Sequence, residues 1–359
     1  MSRQQNLYVD IHALQTVPPS CVNRDDTGSP KTAVYGGVTR ARVSSQAWKR
    51  AVRLDFQETF SGEELGSRTK KIVDMVAEKI AQIDPSADAG KQAIEALKLA
   101  GLKIKEKTPE KGTDALFFLS DGQARALAEL TCKGEKDKKA YTAALTAFPS
   151  VDMVLFGRMV ADDPSLNYDA AAQVAHSIST HEVHNEFDYF TAVDDRGEEN
   201  SSGAGHIGTV EFNSSTLYRY ATVNVREMEK HLGEDAPRVV RGFTESFLRS
   251  MPTGKQNTFA NRTMPDTIYV TVRRDQPVNL AGAFEQPVRS REGYAAASEK
   301  RLADYARATY DRFVSSPALA LCVTRDGAIG ELAESVSLDR LLDELESCVR
   351  EALADSGVE

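Results

Sequence analysis

The chain lacks any apolar run of the roughly 18 residues that a membrane-spanning helix needs. Its start, MSRQQNLYVD, lacks the apolar centre of a secretory signal. Cysteine is scarce: Cys21, Cys132, Cys322 and Cys348 are scattered and form no CxxC pair. That argues against a disulfide frame or a zinc site and points to a reducing cytoplasm. No Ser-His-Asp or Cys-His arrangement stands out, and there is no internal repeat. With 41% hydrophobic and 27% charged residues, the 359-residue chain is expected to be soluble and globular, with about two domains.

What is present is a basic island in an acidic protein. Residues 20–53 read SCVNRDDTGSPKTAVYGGVTRARVSSQAWKRAVR. Seven cations, Arg24, Lys31, Arg40, Arg42, Lys49, Arg50 and Arg53, face only two acids, Asp25 and Asp26. The local charge is +5 in a chain of net charge −9. Residues 331–359 hold nine acids against Arg340 and Arg350, so this tail alone carries −7 of the total. An acidic balance overall therefore leaves a nucleic-acid partner open, because binding depends on local patches.

Residues 6–14 read as a first strand, and 15–43 as a long loop broken by Pro18, Pro19, Gly28, Pro30, Gly36 and Gly37. Ser44 or Ser45 caps a helix running to about Phe60. Helical spacing puts Gln46, Lys49, Arg50 and Arg53 on one face and Ala47, Trp48, Ala51 and Val52 on the other. Residues 61–185 read as mostly helical, with polar breaks near 84–90, 106–114 and 133–139. A polar, Gly-rich stretch from about 190 leads into the alternating TLYRYATVNV, which suits a hairpin and a core strand. Residues 236–250 read as a helix, 267–274 as a strand, and Leu338, Leu341, Leu342, Leu345, Val349 and Leu353 as the stripe of a helix capped by Ser337.

Three motifs imitate chemistry. GAGHIG at 203–208 matches the dinucleotide fingerprint, but that fingerprint needs a strand before it and a helix after it. Here a polar stretch precedes and TVEF comes after, so a loop or hairpin tip is expected. His176, His181 and His184 cluster, yet at spacings that fit no zinc motif. Asp25 and Asp26 are adjacent carboxylates that would suit Mg²⁺ and water activation, or equally an Asx turn or ion pairs. The basic island differs from these: its cations are interleaved with Gly36, Gly37, Ser44 and Ser45 and run into a helix N-terminus, which suits phosphates. A second cluster, Lys133, Lys136, Lys138 and Lys139, is interrupted by Glu135 and Asp137 and reads as a solvated face.

PSCVNRDD, YGGVTRARVSSQAWKRAVR, FGRM, AHSISTHEV, DYFTAVDD and GHIGTVEFNSSTLYRYATVNV, in that order, resemble the backbone subunit of type I-E CRISPR Cascade complexes. KQNTFANRTMPD at 255–266 continues the resemblance, while residues 61–150 and the tail match poorly. The resemblance implies an α+β fold: an RRM-like (ferredoxin-like) palm with a helical finger insertion and a β-hairpin thumb. It divides the chain into palm at 1–60, finger at 61–185, thumb and return strand at 186–225, and second palm part at 226–359.

It also implies a non-enzymatic cytoplasmic subunit with no cofactor. Several copies would line a CRISPR RNA and join other Cascade subunits. The guide bases would stay free to pair with target DNA. In similar proteins the positions matching Arg24, Lys31, Ser44, Ser45, Gln46, Lys49, Arg50 and Arg53 grip the RNA backbone. Met159 matches a methionine that wedges against bases, His206 and Thr209 fall in the thumb, and Lys255, Gln256 and Thr258 lie in the continuing match. Lys136, Lys138 and Lys139 lie where related finger lysines touch DNA. Val38-Thr39 replaces a basic residue of close relatives, so Arg40 and Arg42 are expected to take more of the phosphate contact. The rival expectation is an endoribonuclease using Asp25 or Asp26, since type III backbone subunits cut RNA with an aspartate from a comparable loop.

Overall fold

A computed structural model describes residues 6–105, 112–160, 163–192, 206–325 and 327–355. The chain forms two compact units: residues 1–52, 174–222 and 243–359 make one, and residues 53–173 and 223–242 the other. Both helices and strands are plentiful, and the fold is mixed α+β around a large, mostly antiparallel sheet.

The sheet of the first unit runs, edge to edge, through strands Glu334–Ser335, Leu319–Val323, Thr267–Arg273, Tyr8–Ser20, His206–Asn224, Ser177–Ser179, Val38–Val43 and Thr32–Tyr35. Tyr8–Ser20 sits near the centre and is buried on both faces over Val9–Leu14, as expected of a strand covered from both sides. It pairs antiparallel with Thr267–Arg273 from Tyr8↔Arg273 to Leu14↔Thr267. On one side Leu14, Tyr218, Tyr269, Leu280, Phe284 and Leu302 close a core. Leu302 lies on a long helix, Ala295–Arg312. The C-terminal helix Leu338–Ala354 is capped by the Ser337 hydroxyl and buries Leu341, Leu342, Leu345 and Val349. It packs by the strand Leu319–Val323, so the expected stripe is a core face and the acids point outward.

The stretch 15–43 is not a long loop. The first strand continues through Pro18 and Pro19 to Ser20. Both prolines lie past Leu14, where the ladder to Thr267–Arg273 has ended, so no bond of that ladder is lost. Strands Thr32–Tyr35 and Val38–Val43 then form a hairpin closed at Tyr35↔Val38. Gly36 and Gly37 stand at φ 59° and 79°, the geometry a two-residue primed turn requires. The helix Ser45–Thr59 comes next, as expected.

In the second unit, helices Ile72–Ile83, Ala89–Leu99, Asp121–Cys132 and Lys138–Thr146 surround a core that includes Val76, Ile80, Leu97, Leu127, Tyr141 and Leu145. The segment is less purely helical than its sequence implies. Gly66–Thr69 and Phe117–Ser120 pair as a two-stranded sheet. Short runs such as FFLS, three apolar residues and a serine, do not announce their period. Among the described residues no helix is long and apolar enough to cross a membrane.

Candidate nucleic-acid interface

The loop after the first strand is a built structure. The Asp25 carboxylate accepts from the Thr27 backbone N–H (2.9 Å), the Thr27 hydroxyl (2.7 Å) and the Ser29 backbone N–H (3.0 Å). The Thr27 hydroxyl bond leads in holding the Asp25 pKa below its usual value. Lys31 N–H donates to the Asn23 carbonyl, and Arg42 N–H to the Lys31 carbonyl. The Asn23 side chain accepts from the Ser44 backbone N–H at 2.9 Å. One asparagine thus ties the loop cations to the start of the helix Ser45–Thr59.

That helix is capped by Ser44, whose hydroxyl accepts from Ala47 N–H at 3.3 Å. Trp48, Ala51, Val52 and Phe56 are buried, while Gln46 and Arg50 are exposed and Lys49 half-buried. The Trp48 indole donates to Ser177 Oγ at 2.8 Å. Ser45 is the first helical residue, so its backbone N–H and that of Gln46 remain open to an acceptor.

Arg42 and Lys31 converge on a histidine. Arg42 Nε donates to the Thr32 carbonyl, and its Nη1 lies 3.2 Å from His176 Nδ1. A guanidinium can only donate, so Nδ1 accepts and the imidazole proton sits on Nε2. Burial, then Arg42, then Lys31 push the His176 pKa down. Among the described residues no carboxylate lies within 4 Å of Arg24, Lys31, Arg42 or Arg50 in an ion pair. Four cations without internal ion pairs beside a helix N-terminus have the chemistry to hold a polyanion.

The segment Lys255–Thr258 joins this region. Gly254 packs so closely on the Val22 carbonyl that a Cβ there would collide with it. Burial raises the Cys21 pKa, and the nearby cations Arg24 and Lys255 oppose the rise. Lys255 takes a left-handed conformation (φ 51°) at the head of the short helix Gln256–Phe259, on which Thr258 is exposed.

Other expected residues lie differently. Arg40 is fully buried: its guanidinium donates to the carbonyls of Tyr35, Ser179, Phe284 and Glu285. It is a bracket of the first unit, and the expectation that it takes phosphate fails because its donors are already used. Ser44 is also buried, its hydroxyl occupied as the cap. Arg53 belongs to the second unit, where it donates to Asp152 at 2.9 Å and lies over the Phe118 ring at 4.9 Å. Lys136, Lys138 and Lys139 are exposed around the start of the helix Lys138–Thr146. Met159 is 87% exposed.

Strands Glu186–Ala192 and His206–Asn224 pair from Glu186↔Phe212 to Ala192↔His206. Thr209, opposite Tyr189, is exposed, and so are Phe187, Tyr189 and Ile207. Residues 193–205, with the glycines of GAGHIG up to Gly205, lie outside the described residues, as does the His206 side chain. The element that begins at His206 is a strand and not a helix, which removes the dinucleotide reading. His181 is a core residue stacked on Tyr294 at 3.6 Å, its Nε2 accepting from Thr216 N–H. Among the described residues no group of His, Cys, Asp and Glu could hold a metal ion.

Asn23 was not singled out by the sequence, and His176 only as a member of a histidine cluster that fits no zinc motif. Both lie in the resembling segments AHSISTHEV and PSCVNRDD, but neither changes the charge count that drew attention to the island.

The comparisons bear on this geometry. A family described as CT1975-like protein matches residues 9–348. A chain of a "CRISPR RNA-guided surveillance complex, pre-nicking" superposes with a TM-score of 0.81 at 32% identity, covering 95% of this chain and 100% of its own. A chain of a "CRISPR RNA-guided surveillance complex" gives 0.64 at 30% identity, covering 95% and 99%. Comparison with curated proteins gives no match.

Proposed function

Since the chain belongs to the CT1975-like protein family, we propose that it is a CRISPR RNA-binding backbone subunit of a Cascade-type complex, of type I-E. Several copies polymerise along one guide RNA and join the other Cascade subunits. The guide bases remain available to pair with target DNA in antiviral defence. In this reading the large sheet is the RRM-like palm, the helical unit the finger, and the Glu186–Asn224 hairpin the thumb. The work is done in the cytoplasm.

The observation that carries the proposal is the set Arg24, Lys31, Arg42 and Arg50, exposed or half-buried and without internal ion pairs among the described residues. Held on phosphates, such cations carry no sequence information, which suits a carrier whose guide sequence varies. His176 Nε2–H and the first helical N–H groups add neutral donors beside them. Lys49, Gln46, Ser45, Lys255, Gln256 and Thr258 extend the grip. Met159 supplies the apolar base contact, and Thr209 and His206 act from the thumb.

The subunit carries out no cleavage in this proposal. Asp25 supports that, because three hydrogen bonds turn its carboxylate into its own loop. Regularly spaced cuts in complementary RNA with Mg²⁺, lost in Asp25→Ala or Asp26→Ala, would make it a nuclease instead. Light scattering with oligoribonucleotides of increasing length tests the assembly. The mass should climb in steps with RNA length, whereas one protein per RNA at every length refutes polymerisation.

A further inference from the structure

The first unit holds a small cavity beside two of the grip cations. It measures about 20 Å³ and is lined by Ser20, Asn23, Lys31, Arg42, Asn213 and Ser215, with Val17, Val43 and Leu217 in its apolar wall. That is room for one water-sized group. Asn23, Lys31 and Arg42 are half-buried and stand at its open side. Ser20 and Ser215 are only 3% and 6% exposed.

The polar lining away from the cations is neutral and still has hydrogen bonds to make. Neither the Ser20 nor the Ser215 hydroxyl has a hydrogen-bond partner among the described residues. Unlike the sealed hydroxyls of Ser150 and Ser250, these two oxygens keep some open surface, and both residues line the cavity. Asn23 gives its Oδ1 to the Ser44 N–H and keeps its amide N–H groups. Asn213 donates one amide N–H to Asn185 at 3.0 Å and keeps its Oδ1. No carboxylate lines the site. Buried hydroxyls without partners favour a group that can both donate and accept.

The ribose 2′-hydroxyl is such a group. It is borne on the carbon next to the one that carries the 3′ phosphate, so a phosphate on Lys31 and Arg42 brings it to this cavity. A whole phosphate is too large to enter. We propose that the cavity takes a 2′-hydroxyl of the bound strand between the Ser20 and Ser215 hydroxyls, while Lys31 and Arg42 hold the adjacent phosphate. The inference rests on the RNA-binding reading above and deepens it: the grip selects RNA over DNA without reading a base. Ser20 and Ser215 are then specificity residues, and the free groups of Asn23 and Asn213 are further partners for the same hydroxyl.

The test is fluorescence anisotropy of the full-length protein with short oligonucleotides of one sequence, built on ribose, 2′-deoxyribose or 2′-O-methylribose. At equal salt the ribose strand should bind roughly tenfold more tightly than the deoxyribose strand, the effect of one or two hydrogen bonds. The 2′-O-methyl strand keeps the ribose pucker, yet should bind no better than DNA, because the cavity has no room for the methyl group. Ser20→Ala combined with Ser215→Ala should lower RNA affinity to that of DNA and leave DNA affinity and the salt slope as in wild type. Equal binding of ribose and deoxyribose strands by wild type, 2′-O-methyl RNA bound as tightly as RNA, or an RNA preference intact in the folded double variant would each overturn this cavity and leave the RNA-binding reading standing. The 2′-O-methyl comparison decides even if the double variant does not fold. No binding of any of the three strands would overturn both.

Discussion

The Arg219 guanidinium lies 3.8 Å from the centroid of the Trp48 ring. It is 4.6 Å from the Phe247 ring on the same core and donates to Gln15 Oε1 and the Phe247 carbonyl. Burial pushes its pKa down to about 9, and it has no carboxylate partner among the described residues. The buried face of the cationic helix is therefore fastened to the sheet by a cation–π contact as well as by apolar packing. Trp48→Ala should cost about 3–5 kcal/mol, seen as a lower urea midpoint with little change in slope. A cost below about 1 kcal/mol would mean that Trp48 is not the anchor.

Arg40 and Lys31 should behave oppositely. Arg40→Ala leaves buried carbonyls unpaired and should destabilise the fold by on the order of 3 kcal/mol. Lys31→Ala should leave the melting curve nearly unchanged and weaken RNA binding. A stable Arg40→Ala protein with reduced RNA affinity would return Arg40 to the phosphate site.

The Gly36-Gly37 turn gives a graded prediction. Both residues have positive φ, but only at Gly36 would a Cβ strike the Glu285 carbonyl. Gly37→Ala meets nothing nearby and should cost about 1–2 kcal/mol for the left-handed backbone alone. Gly36→Ala should cost clearly more in the same denaturation assay. Equal costs would show that the hairpin does not close on that segment.

Two buried groups set opposing pH dependences. Burial, then Arg273, lowers the His12 pKa to about 3, and its Nδ1 lies 2.8 Å from the Tyr218 hydroxyl. The folded state binds that proton less well than the unfolded chain, so stability is lost as pH falls below about 6.5. Burial raises the Asp10 pKa to about 6 against the hydrogen bonds from Val278 N–H and the Tyr220 hydroxyl. Its contribution is present at low pH and is lost as pH rises from about 4 through 6. Between these limits each group changes stability by about 1.4 kcal/mol per pH unit, with opposite sign. His12→Phe should therefore gain stability relative to wild type on acidification from pH 6 to 4. Parallel pH profiles would contradict these assignments.

Much of this was legible in the sequence where charge and period carry it. The division of Ser45–Thr59 into a Trp48 face and a Gln46–Arg50 face comes from spacing alone, as does the leucine stripe of Leu338–Ala354. The hairpin at Gly36-Gly37 was also encoded, yet prolines and glycines in one stretch read as a loop because punctuation does not say what lies between. Arg40 could not be told from Arg42 by composition. The two lie two residues apart on Val38–Val43 and share a strand face, so alternation does not separate them; packing does, since Arg40 is enclosed by the carbonyls of Phe284 and Glu285 while Arg42 reaches His176. The Arg68 guanidinium lies 4.7 Å from the Phe118 ring centroid, and that contact needed the pairing of Gly66–Thr69 with Phe117–Ser120, two segments some fifty residues apart, which no local pattern predicts.

The central claim is that Arg24, Lys31, Arg42 and Arg50 hold an RNA backbone through its phosphates. The most direct test is the affinity for single-stranded RNA across a salt series, for wild type and for the protein with all four changed to Ala. Each lost phosphate contact should reduce the slope of log K against log salt by about 0.7, so the slope should fall by about 3 in total while the fold persists. An unchanged slope in a folded quadruple variant would contradict the account.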